Sequence, residues 1–429
     1  MKILQFINLF LPYQIAGTEV YVWALAKQLA QFGYQSKVVI PNYEKAVEER
    51  YEYDGLTVIK YAEPTVQDRK LIMGRKLPMG LYSFKQILET EKPQIVHFHE
   101  YSTGNGIVKE HIAVAKRAGV KVIITFHLAS YTCRTGTLVY KSESLCDGKI
   151  EVGKCSSCYL HSRGFGNFEN ILLPMSRITG MLHLDTAAWN NKVGTALATT
   201  QLLGRFQAEF VSLFNDVDAF VSLTSWYKKI LAVNGVPQYK IEFIPQGLPL
   251  DMSSVKTESQ QSSVVRLIFI GRISAFKGLH LLIDALQALP QEKITLSIYG
   301  QPADADYERD LRVKTERLAN ISWKGKLAQA DVIPVLQQHD LLCLCSTFSE
   351  MSPLVIQEAF TAGIPVLASN VYGNAEQVQH GRNGLLFAFN NVTSLREQLQ
   401  YCLDDSGLME RLKKNIPPSR SFREVAADY

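Results

Sequence analysis

The chain has 429 residues, more than the length at which a single hydrophobic core keeps growing, so two domains are expected. Hydrophobic residues make up 47% and charged residues 20%, and the net charge of +4 comes without the concentrated basic face of a nucleic-acid binder. No apolar run reaches the ~18 residues of a membrane span, and the opening MKILQFINLF indicates a strand, so a cytoplasmic protein is expected.

The first half of the chain alternates short β-branched runs with longer amphipathic ones. Strands are predicted at residues 3–7, 36–40, 95–98, 122–126, 219–223 and 241–244. Helices are predicted at residues 19–31, 108–118 and 226–233. Strands that alternate with helices of this length are typical of a parallel sheet covered on both faces.

Between about residues 128 and 200 this alternation stops, and one helix is predicted at 177–184. The insertion holds four cysteines spaced C-x12-C-x8-C-x2-C: Cys133, Cys146, Cys155 and Cys158. The closing CSSC has the spacing of a zinc knuckle, and four thiolates complete a tetrahedral site. Because the first two spacings are irregular, a structural zinc, an iron–sulfur centre and free thiols all stay open.

The second half repeats the strand–helix scheme. Strands are predicted at residues 266–271, 294–300, 321–325, 341–345, 365–369 and 384–387, and helices at 279–289, 308–318, 331–338 and 353–362. Residues 251–263 between the halves are polar and serine-rich, which indicates a linker or a surface loop. We therefore predict an α/β protein with two doubly wound domains facing one cleft.

The stretch FSEMSPLVIQEAF, residues 348–360, carries two acids beside an otherwise apolar helix. Ser352 is a good N-cap and Pro353 a good first helical residue, so unpaired backbone amides and the positive helix end would face a ligand. Glu350 in the loop and Glu358 in the helix can accept hydrogen bonds from vicinal hydroxyls of a sugar or ribose. The alternative is a pair of acids that only meet solvent.

The segment GRISAFKG, residues 271–278, follows the first strand of the same domain. It would place Arg272 and Lys277 at the sheet edge from which the helix with Glu358 starts. Two cations beside a helix N-terminus suit a diphosphate, whose charge grows on the departing oxygen during transfer. Each cation alone would be read as a solvated surface charge.

Taken in order, GRISAFKG, SWKGKL and SEMSPLVIQEAF resemble the C-terminal domain of retaining GT-B glycosyltransferases of family GT4. In the first half, IAGTEVYVWALAKQLAQFGYQSKVV, PQIVHFHE and ITFH are similar to the family's N-terminal domain, although Ala16-Gly17 stands where Gly-Gly is usual. The resemblance implies two Rossmann-like domains. Their expected bounds are 1–245, with the insertion on the acceptor side, and 246–412 for the nucleotide-sugar domain. A C-terminal helix at 413–429 would cross back to the first domain.

The resemblance also implies roles for individual residues. Arg272 and Lys277 would hold the donor diphosphate, Glu350 would contact the donor sugar and Glu358 the ribose, with His127 near the sugar. Arg272, Lys277, Glu350 and His127 are therefore the predicted catalytic residues. The further donor-binding set is Gly17, Lys326, Leu327, Met351, Ser352, Pro353 and Leu354, with Lys326 and Leu327 acting through main-chain groups on the nucleobase.

The implied reaction is transfer of a sugar from a UDP- or GDP-linked donor to an acceptor hydroxyl with retention of configuration. The acceptor would be a sugar, a lipid-linked molecule or another hydroxyl compound in cell-surface polysaccharide, glycolipid or other glycoconjugate synthesis. No metal is expected to be needed for catalysis, because the two cations and the helix terminus neutralise the leaving group. No nucleic-acid partner is expected.

Several alternatives stay open. A nicotinamide dehydrogenase would want G-x-G-x-x-G after the first strand, and NLFLPYQIAGTE lacks it. A sugar-nucleotide epimerase shares the two-domain fold, and a catalytically silent partner subunit would keep the fold to bind another protein. The basic segment at residues 69–85 could contact anionic lipid at the inner face of the membrane, or could be an ordinary exposed edge.

Overall fold

The computed structural model describes residues 1–64, 76–102, 106–249 and 264–429. The chain divides into two compact units. The first unit comprises residues 1–141, 146–249 and 422–429, and the second comprises residues 142–145 and 250–421. The predicted linker at 251–263 and the first part of the basic segment, residues 69–75, lie outside the described residues.

The first unit is built on an eight-stranded sheet. The strands of the first 249 residues are β1 (Lys2–Phe6), β2 (Gln35–Asn42), β3 (Glu49–Tyr53), β4 (Leu56–Ala62), β5 (Ile95–Phe98), β6 (Lys121–Phe126), β7 (Val139–Tyr140), β8 (Ser144–Leu145), β9 (Ala219–Ser222) and β10 (Ile241–Phe243). The sheet order is β10-β9-β6-β5-β1-β2-β4-β3, and only the edge pair β3–β4 is antiparallel. The strand order therefore reverses at β1, whose neighbours are β2 and β5.

Helices cover this sheet and fill the insertion. They are α1 (Gly17–Gln31), α2 (Leu81–Glu91), α3 (Lys109–Arg117), α4 (Val152–Ser162), α5 (Glu169–Met181), α6 (Lys192–Leu197), α7 (Thr199–Asp216) and α8 (Ser225–Val233). The predicted helix at 177–184 is wrong in its bounds. The observed helix α5 begins eight residues earlier and carries Pro174 inside it, which masks the helical pattern in the sequence.

The second unit holds a six-stranded, wholly parallel sheet. Its elements are β11 (Val265–Ile270), α9 (Leu279–Leu286), β12 (Ile294–Tyr299), α10 (Ala305–Thr315), β13 (Ile321–Gly325), α11 (Val332–Leu336), β14 (Leu341–Leu344), α12 (Leu354–Thr361), β15 (Val366–Ser369), α13 (Tyr372–Gln377), β16 (Gly384–Phe387), α14 (Val392–Asp404) and α15 (Leu408–Lys413). The order β13-β12-β11-β14-β15-β16 is that of a doubly wound sheet, as predicted.

Buried leucine and isoleucine side chains hold the second sheet between its helices. Leu267 and Phe269 of β11 face α9, whose Leu279, Leu282 and Ile283 are fully buried in the same cluster. Each such side chain contributes about 1.5–3 kcal/mol of transfer free energy. At the opposite end of the strands, Arg266 clamps Asp340 through two hydrogen bonds of 3.0 and 2.8 Å, which fixes the starts of β11 and β14. The loops at the carboxyl ends of β11 and β14 therefore extend from two strands whose relative position is fixed.

The last helix, α16 (Phe422–Asp428), is part of the first unit. Its Phe422 packs edge-on against Tyr21 of α1, with ring centroids 4.9 Å apart. The Tyr429 hydroxyl pairs with those of Tyr21 at 3.0 Å and Thr125 at 2.7 Å. The chain end is thus anchored beside the carboxyl end of β6.

Among the described helices, none is both long enough and apolar enough to cross a bilayer.

Candidate functional site

In the second unit, the loop after β11 turns tightly against the loop after β14. Gly278 closes it at φ +66°, and a Cβ placed there would lie 1.8 Å from the Cys345 carbonyl oxygen. Glycine is therefore required, both for the backbone angle and for the close approach. Thr347 fastens the loops from the other side: its amide donates to the Phe276 carbonyl at 2.8 Å and its hydroxyl to the Ala275 carbonyl at 3.1 Å.

These two loops bring two predicted site residues into direct contact. The Lys277 Nζ lies 2.5 Å from Oε1 of Glu350, and the Ser346 hydroxyl donates to the same oxygen at 2.6 Å. Lys277 also lies over the Phe348 ring, 5.3 Å from its centroid. Glu350 is only 7% exposed, so its charge is compensated by these two donors rather than by water.

Arg272 stands at the start of the same loop and is exposed. No described residue forms a hydrogen bond or an ion pair with its guanidinium. This edge therefore presents to an incoming anion an exposed arginine and, beside it, a lysine that is already paired to one acid. Both residues lie where β11 and β14 separate, which is the switch point at which doubly wound sheets bind ligands.

The start of helix α12 differs from the prediction. Pro353, not Ser352, is the N-cap, because its ψ of 119° is extended, and no side chain caps the helix. Leu354 is therefore the first helical residue, and the amides of the first turn are not satisfied by a cap. Met351 and Pro353 are buried, while Ser352 and Leu354 are half-buried.

Gly373, at the start of α13, lies against the backbone of the loop that carries Glu350. A Cβ on Gly373 would lie 2.0 Å from the Glu350 carbonyl oxygen and 2.6 Å from that of Met351. The Ser369 hydroxyl at the end of β15 donates to the Ser346 carbonyl at 2.8 Å. Sequence reasoning missed this support, because a glycine in a short helix carries no charge or motif that draws attention.

Glu358 lies in α12 with 8% of its surface exposed. Its Oε1 accepts a hydrogen bond of 2.6 Å from the Gln329 amide, and burial raises its pKa above the ordinary value while this bond opposes the rise. Gln329 follows β13 in the loop that also contains Lys326 and Leu327. Leu327 packs against the core around α12, whereas Lys326 is exposed. Gln329 was not predicted; it becomes visible only as the partner of a buried acid.

In the first unit, Gly17 is the first residue of α1 and is exposed, next to an extended Ala16. No side chain caps this helix either. Two residues further on, Glu19 is buried and accepts a 2.7 Å hydrogen bond from Gln14. This loop follows β1, at the point where the strand order of the first sheet reverses.

His127 follows β6 and belongs to a buried histidine network. One nitrogen pairs with His99 at 3.1 Å, and His99 pairs in turn with the Gln5 side chain at 2.7 Å. Burial lowers the pKa of His127 to about 3 and that of His99 well below its ordinary value. His127 is therefore neutral at physiological pH and can act as a hydrogen-bonding group but not as a cation.

Glu100, next to His99, is a further acid that sequence reasoning missed. Its Oε2 accepts a 2.6 Å hydrogen bond from the Asn8 amide in the loop after β1. Burial raises its pKa to about 7, with the Asn8 amide acting in the opposite direction. A carboxyl group that titrates near neutrality at a switch point is a candidate functional group in its own right.

The four cysteines of the insertion line a single small cavity of about 20 Å³ in the first unit. All of them are free thiols, as are the buried Cys343 and Cys345. Burial raises the pKa of Cys155 to about 11, while the Glu151 backbone and the charge of Lys154 oppose this rise. Across the parts of the chain that the structure describes, no group of three or more His, Cys, Asp or Glu side chains is already arranged to hold a metal ion.

The predicted residues thus fall into two sets. The second unit brings Arg272, Lys277, Glu350 and the start of α12 to one sheet edge, with Glu358 further along the same helix. The first unit holds Gly17 and His127 at the carboxyl edge of its own sheet. The roles assigned to these residues in binding and catalysis are predictions.

Solved structures define the class to which this fold belongs. HepE of Anabaena, crystallised with UDP and glucose, superposes with a TM-score of 0.60 at 16% identity, over 97% of this chain and 93% of that one. WaaG, a glycosyltransferase involved in lipopolysaccharide biosynthesis, gives a TM-score of 0.59 at 14% identity over 96% and 94%. The chain therefore has the GT-B fold, two units with parallel sheets and flanking helices.

Sequence comparisons give the family. Residues 256–417 match the model for glycosyl transferases group 1, and residues 15–144 match that for glycosyltransferase family 4. The glycogen synthase of Mycobacterium tuberculosis is 26% identical over 46% of this chain and 49% of its own length. Spore coat protein SA of Bacillus subtilis is 28% identical over 34% and 42%. The chain spans about half the length of the first of these curated relatives. Together, the two family matches, one in each half of the chain, support a GT4-type glycosyltransferase.

Proposed function

We propose that the protein transfers a sugar from a nucleoside-diphosphate sugar to an acceptor hydroxyl, with retention of configuration and without a catalytic metal. One observation carries the proposal. At the switch point of the second sheet, Lys277 is held against Glu350 at 2.5 Å beside an exposed Arg272 and an uncapped helix start. Lys277, which can bind a diphosphate, thus directly contacts Glu350, which can accept hydrogen bonds from sugar hydroxyls.

The diphosphate would bind to the cations of this edge. A lysine ammonium has three donors, so Lys277 can keep Glu350 and still donate to a phosphate oxygen. Arg272 would add a planar pair of donors, which suits phosphate geometry. The amides of Leu354 and Val355 at the helix start would supply further donors and the positive end of the helix dipole.

Glu350 and Glu358 would recognise the two ends of the donor. Glu350 is an acceptor held in one orientation by Lys277 and Ser346, which suits a sugar hydroxyl. Glu358, with Gln329 beside it, would accept hydrogen bonds from the ribose, and the main chain at Lys326 and Leu327 would meet the base. Structural neighbours that bind UDP or UDP-glucose support a uridine donor, with a guanosine donor as the alternative.

The reaction itself would need positioning and charge stabilisation. The bond between the anomeric carbon and the β-phosphate oxygen breaks, the acceptor oxygen bonds to that carbon on the same face, and its proton passes to the departing phosphate oxygen. Lys277 and Arg272 would stabilise the charge that grows on the leaving group, so no metal is required for this step. Gly17 and His127 are the first unit's candidates for contacts with the donor.

The test compares two lysine variants. Lys277→Ala should lower kcat by about 10²–10³-fold, since it removes a donor aimed at developing charge. Lys293→Ala, which removes an exposed lysine ahead of β12, is the matched control and should keep wild-type turnover. Transfer from a panel of UDP- and GDP-sugars, with the anomeric configuration of the product read by NMR, measures both activity and retention.

Two results would overturn the proposal. Near-wild-type turnover of Lys277→Ala would remove the role of the ion pair, and a product of inverted configuration would exclude the retaining mechanism. If no nucleotide sugar raises the melting temperature of the wild-type protein, the alternative of a silent GT-B subunit is favoured. Formation of an epimerised nucleotide sugar without acceptor would instead identify an epimerase.

A further inference from the structure

The cysteine cavity lies in the first unit, and none of its lining residues is used in the proposed reaction. Three separate segments contribute to it: Cys133 follows the short turn at Ala129–Tyr131, Cys146 follows β8, and Cys155 and Cys158 lie one turn apart on α4. Four half-buried cysteines from three segments of one insertion thus line the same cavity. A cavity of about 20 Å³ has room for one small ion.

One backbone amide points at a sulfur of this cavity, since the Lys141 amide donates to Cys158 Sγ at 3.5 Å. The Cys158 and Cys155 thiols themselves donate to the Val139 and Lys149 carbonyl oxygens, at 3.5 and 4.0 Å. A neutral thiol is a weak acceptor, whereas a thiolate bound to a metal is stabilised by an amide donor. Cys158 therefore already has an outer hydrogen bond of the kind that a metal–thiolate site uses.

Gly148 shows that this arrangement depends on a specific backbone shape. It stands two residues after Cys146 at φ +75°, and a Cβ there would lie 2.5 Å from Ile230. Asn234 fixes the same turn, since its side chain donates to the Gly148 carbonyl at 2.8 Å and accepts from the Ile150 amide at 2.7 Å. The loop is thus held in one conformation around the cavity.

Two lysines lie near the cysteines, and each already forms an ion pair. Lys154 lines the cavity and pairs with Asp147 at 2.5 Å, and Lys141 pairs with Glu169 at 2.7 Å. Four thiolates around a divalent cation carry a net charge of −2, so the two lysines would interact with the site as well as with their acids.

We propose that Cys133, Cys146, Cys155 and Cys158 bind one structural Zn²⁺ ion in tetrahedral geometry. As the thiols stand they are not arranged as ligands, so binding would rotate the sulfurs into the cavity between staggered rotamers. Four protons leave as four S–Zn bonds form, and no electron is transferred. The ion would join α4 to the loops before it, which otherwise contain only the two-residue strands β7 and β8.

The cavity also discriminates between metal centres. An iron–sulfur cluster with its inorganic sulfides is bulkier than one ion, whereas a single tetrahedral ion needs only the space at the centre of four sulfurs. A disulfide would use only two of the cysteines. A single zinc ion uses all four and fits the space between them.

The experiment measures metal in the purified full chain by elemental analysis, with zinc release followed by a chromogenic chelator after thiol modification. We expect one zinc per chain, its loss in the double variant Cys155→Ser/Cys158→Ser, and its retention in Cys402→Ala. Cys402 is a buried thiol of the second unit, so it controls for the general loss of a cysteine. Removal of zinc from the native chain by a strong chelator should lower the melting temperature.

Other outcomes would overturn the proposal. Iron with acid-labile sulfide, a disulfide found by mass spectrometry, or four thiols that react freely in a metal-free native chain each exclude zinc. Should the double variant fail to fold, the metal content and chelator response of the native chain still decide the matter. Because transfer activity is not the readout, failure here leaves the proposed function standing, and the converse also holds.

Discussion

The two sheets reverse their strand order in the same way but present different chemistry at the reversal. The second unit offers charge: Lys277 against Glu350, with exposed Arg272 beside them. The first unit offers neutral groups: His99 and His127, whose pKa values lie far below neutrality, and Glu100, whose pKa lies near 7. The fold thus fixes where a ligand site can form, while buried side chains decide whether it attracts charge or only hydrogen-bonding groups.

The largest expected effect on turnover comes from removing a charge from the Lys277–Glu350 pair of the second unit. Glu350→Gln keeps the shape of the side chain but removes the partner of Lys277, and we expect kcat to fall by about 10²–10³-fold. The exposed Glu292→Gln is the control and should leave turnover unchanged. Steady-state kinetics with the preferred donor measures the difference, and equal rates for the two variants would show that the pair plays no part in transfer.

A second test asks whether the rigid junction of the two loops is necessary. Gly278→Ala would force a Cβ against the Cys345 carbonyl oxygen and should lower the free energy of unfolding by about 3 kcal/mol or more. Gly363→Ala is matched in backbone angle, at φ +77°, but has open space around it and should cost about 1 kcal/mol. Denaturant melts compare the two, and similar losses would mean that the contact with Cys345 can relax.

The buried His127 of the first unit leads to a prediction about how stability depends on pH. His127 has a lower pKa in the folded chain than in the unfolded one, so the unfolded chain binds more protons between about pH 6.5 and 3. Stability should therefore fall as the pH is lowered through this window, and His127→Asn should weaken that dependence. Urea melts across the pH range provide the measurement. An unchanged slope in the variant would show that His127 is not the group responsible.

Glu100 should act in the opposite direction and with a smaller effect. Its pKa is raised by burial to about 7 in the folded chain, so its contribution to stability is complete at acid pH and is lost as the pH rises toward 7. The loss is at most about 3 kcal/mol, and less because the carboxylate is partly solvated. Glu100→Gln should remove it, and the same melts should then show a smaller decline between pH 5 and 7.

The strand–helix alternation made much of this fold predictable. All six strands of the second sheet lie where the sequence indicated. Most of them are buried on both faces and are nearly continuous in apolar residues, whereas the edge strand β13 has no buried residue. The strands β3 and β4, which pair antiparallel with each other, were missed. β3, with the sequence ERYEY, lies at an edge and has no buried residue. Within the insertion, Pro174 interrupts the helical pattern of the sequence, so the predicted helix began too late.

The site was predictable where a charge or a recurring motif marks it, as with Lys277 and Glu350. Partners that act through geometry were not. Ser346 and Gln329 are ordinary polar residues until the fold brings them to a buried carboxylate, and Gly373 matters only for the side chain that it lacks. Glu100 was overlooked because its burial depends on the loop after β1, which is distant in sequence.

Gly278 also bears on attempts to redesign the donor preference. The close approach of Gly278 to the Cys345 carbonyl leaves no space for a side chain at position 278. Randomising this position, at the end of the loop after β11, would therefore mostly yield misfolded variants. Phe348 on the facing loop is only half-buried and tolerates change more readily. An engineer seeking new sugar substrates would begin with this position and keep Thr347, whose hydroxyl holds the two loops together.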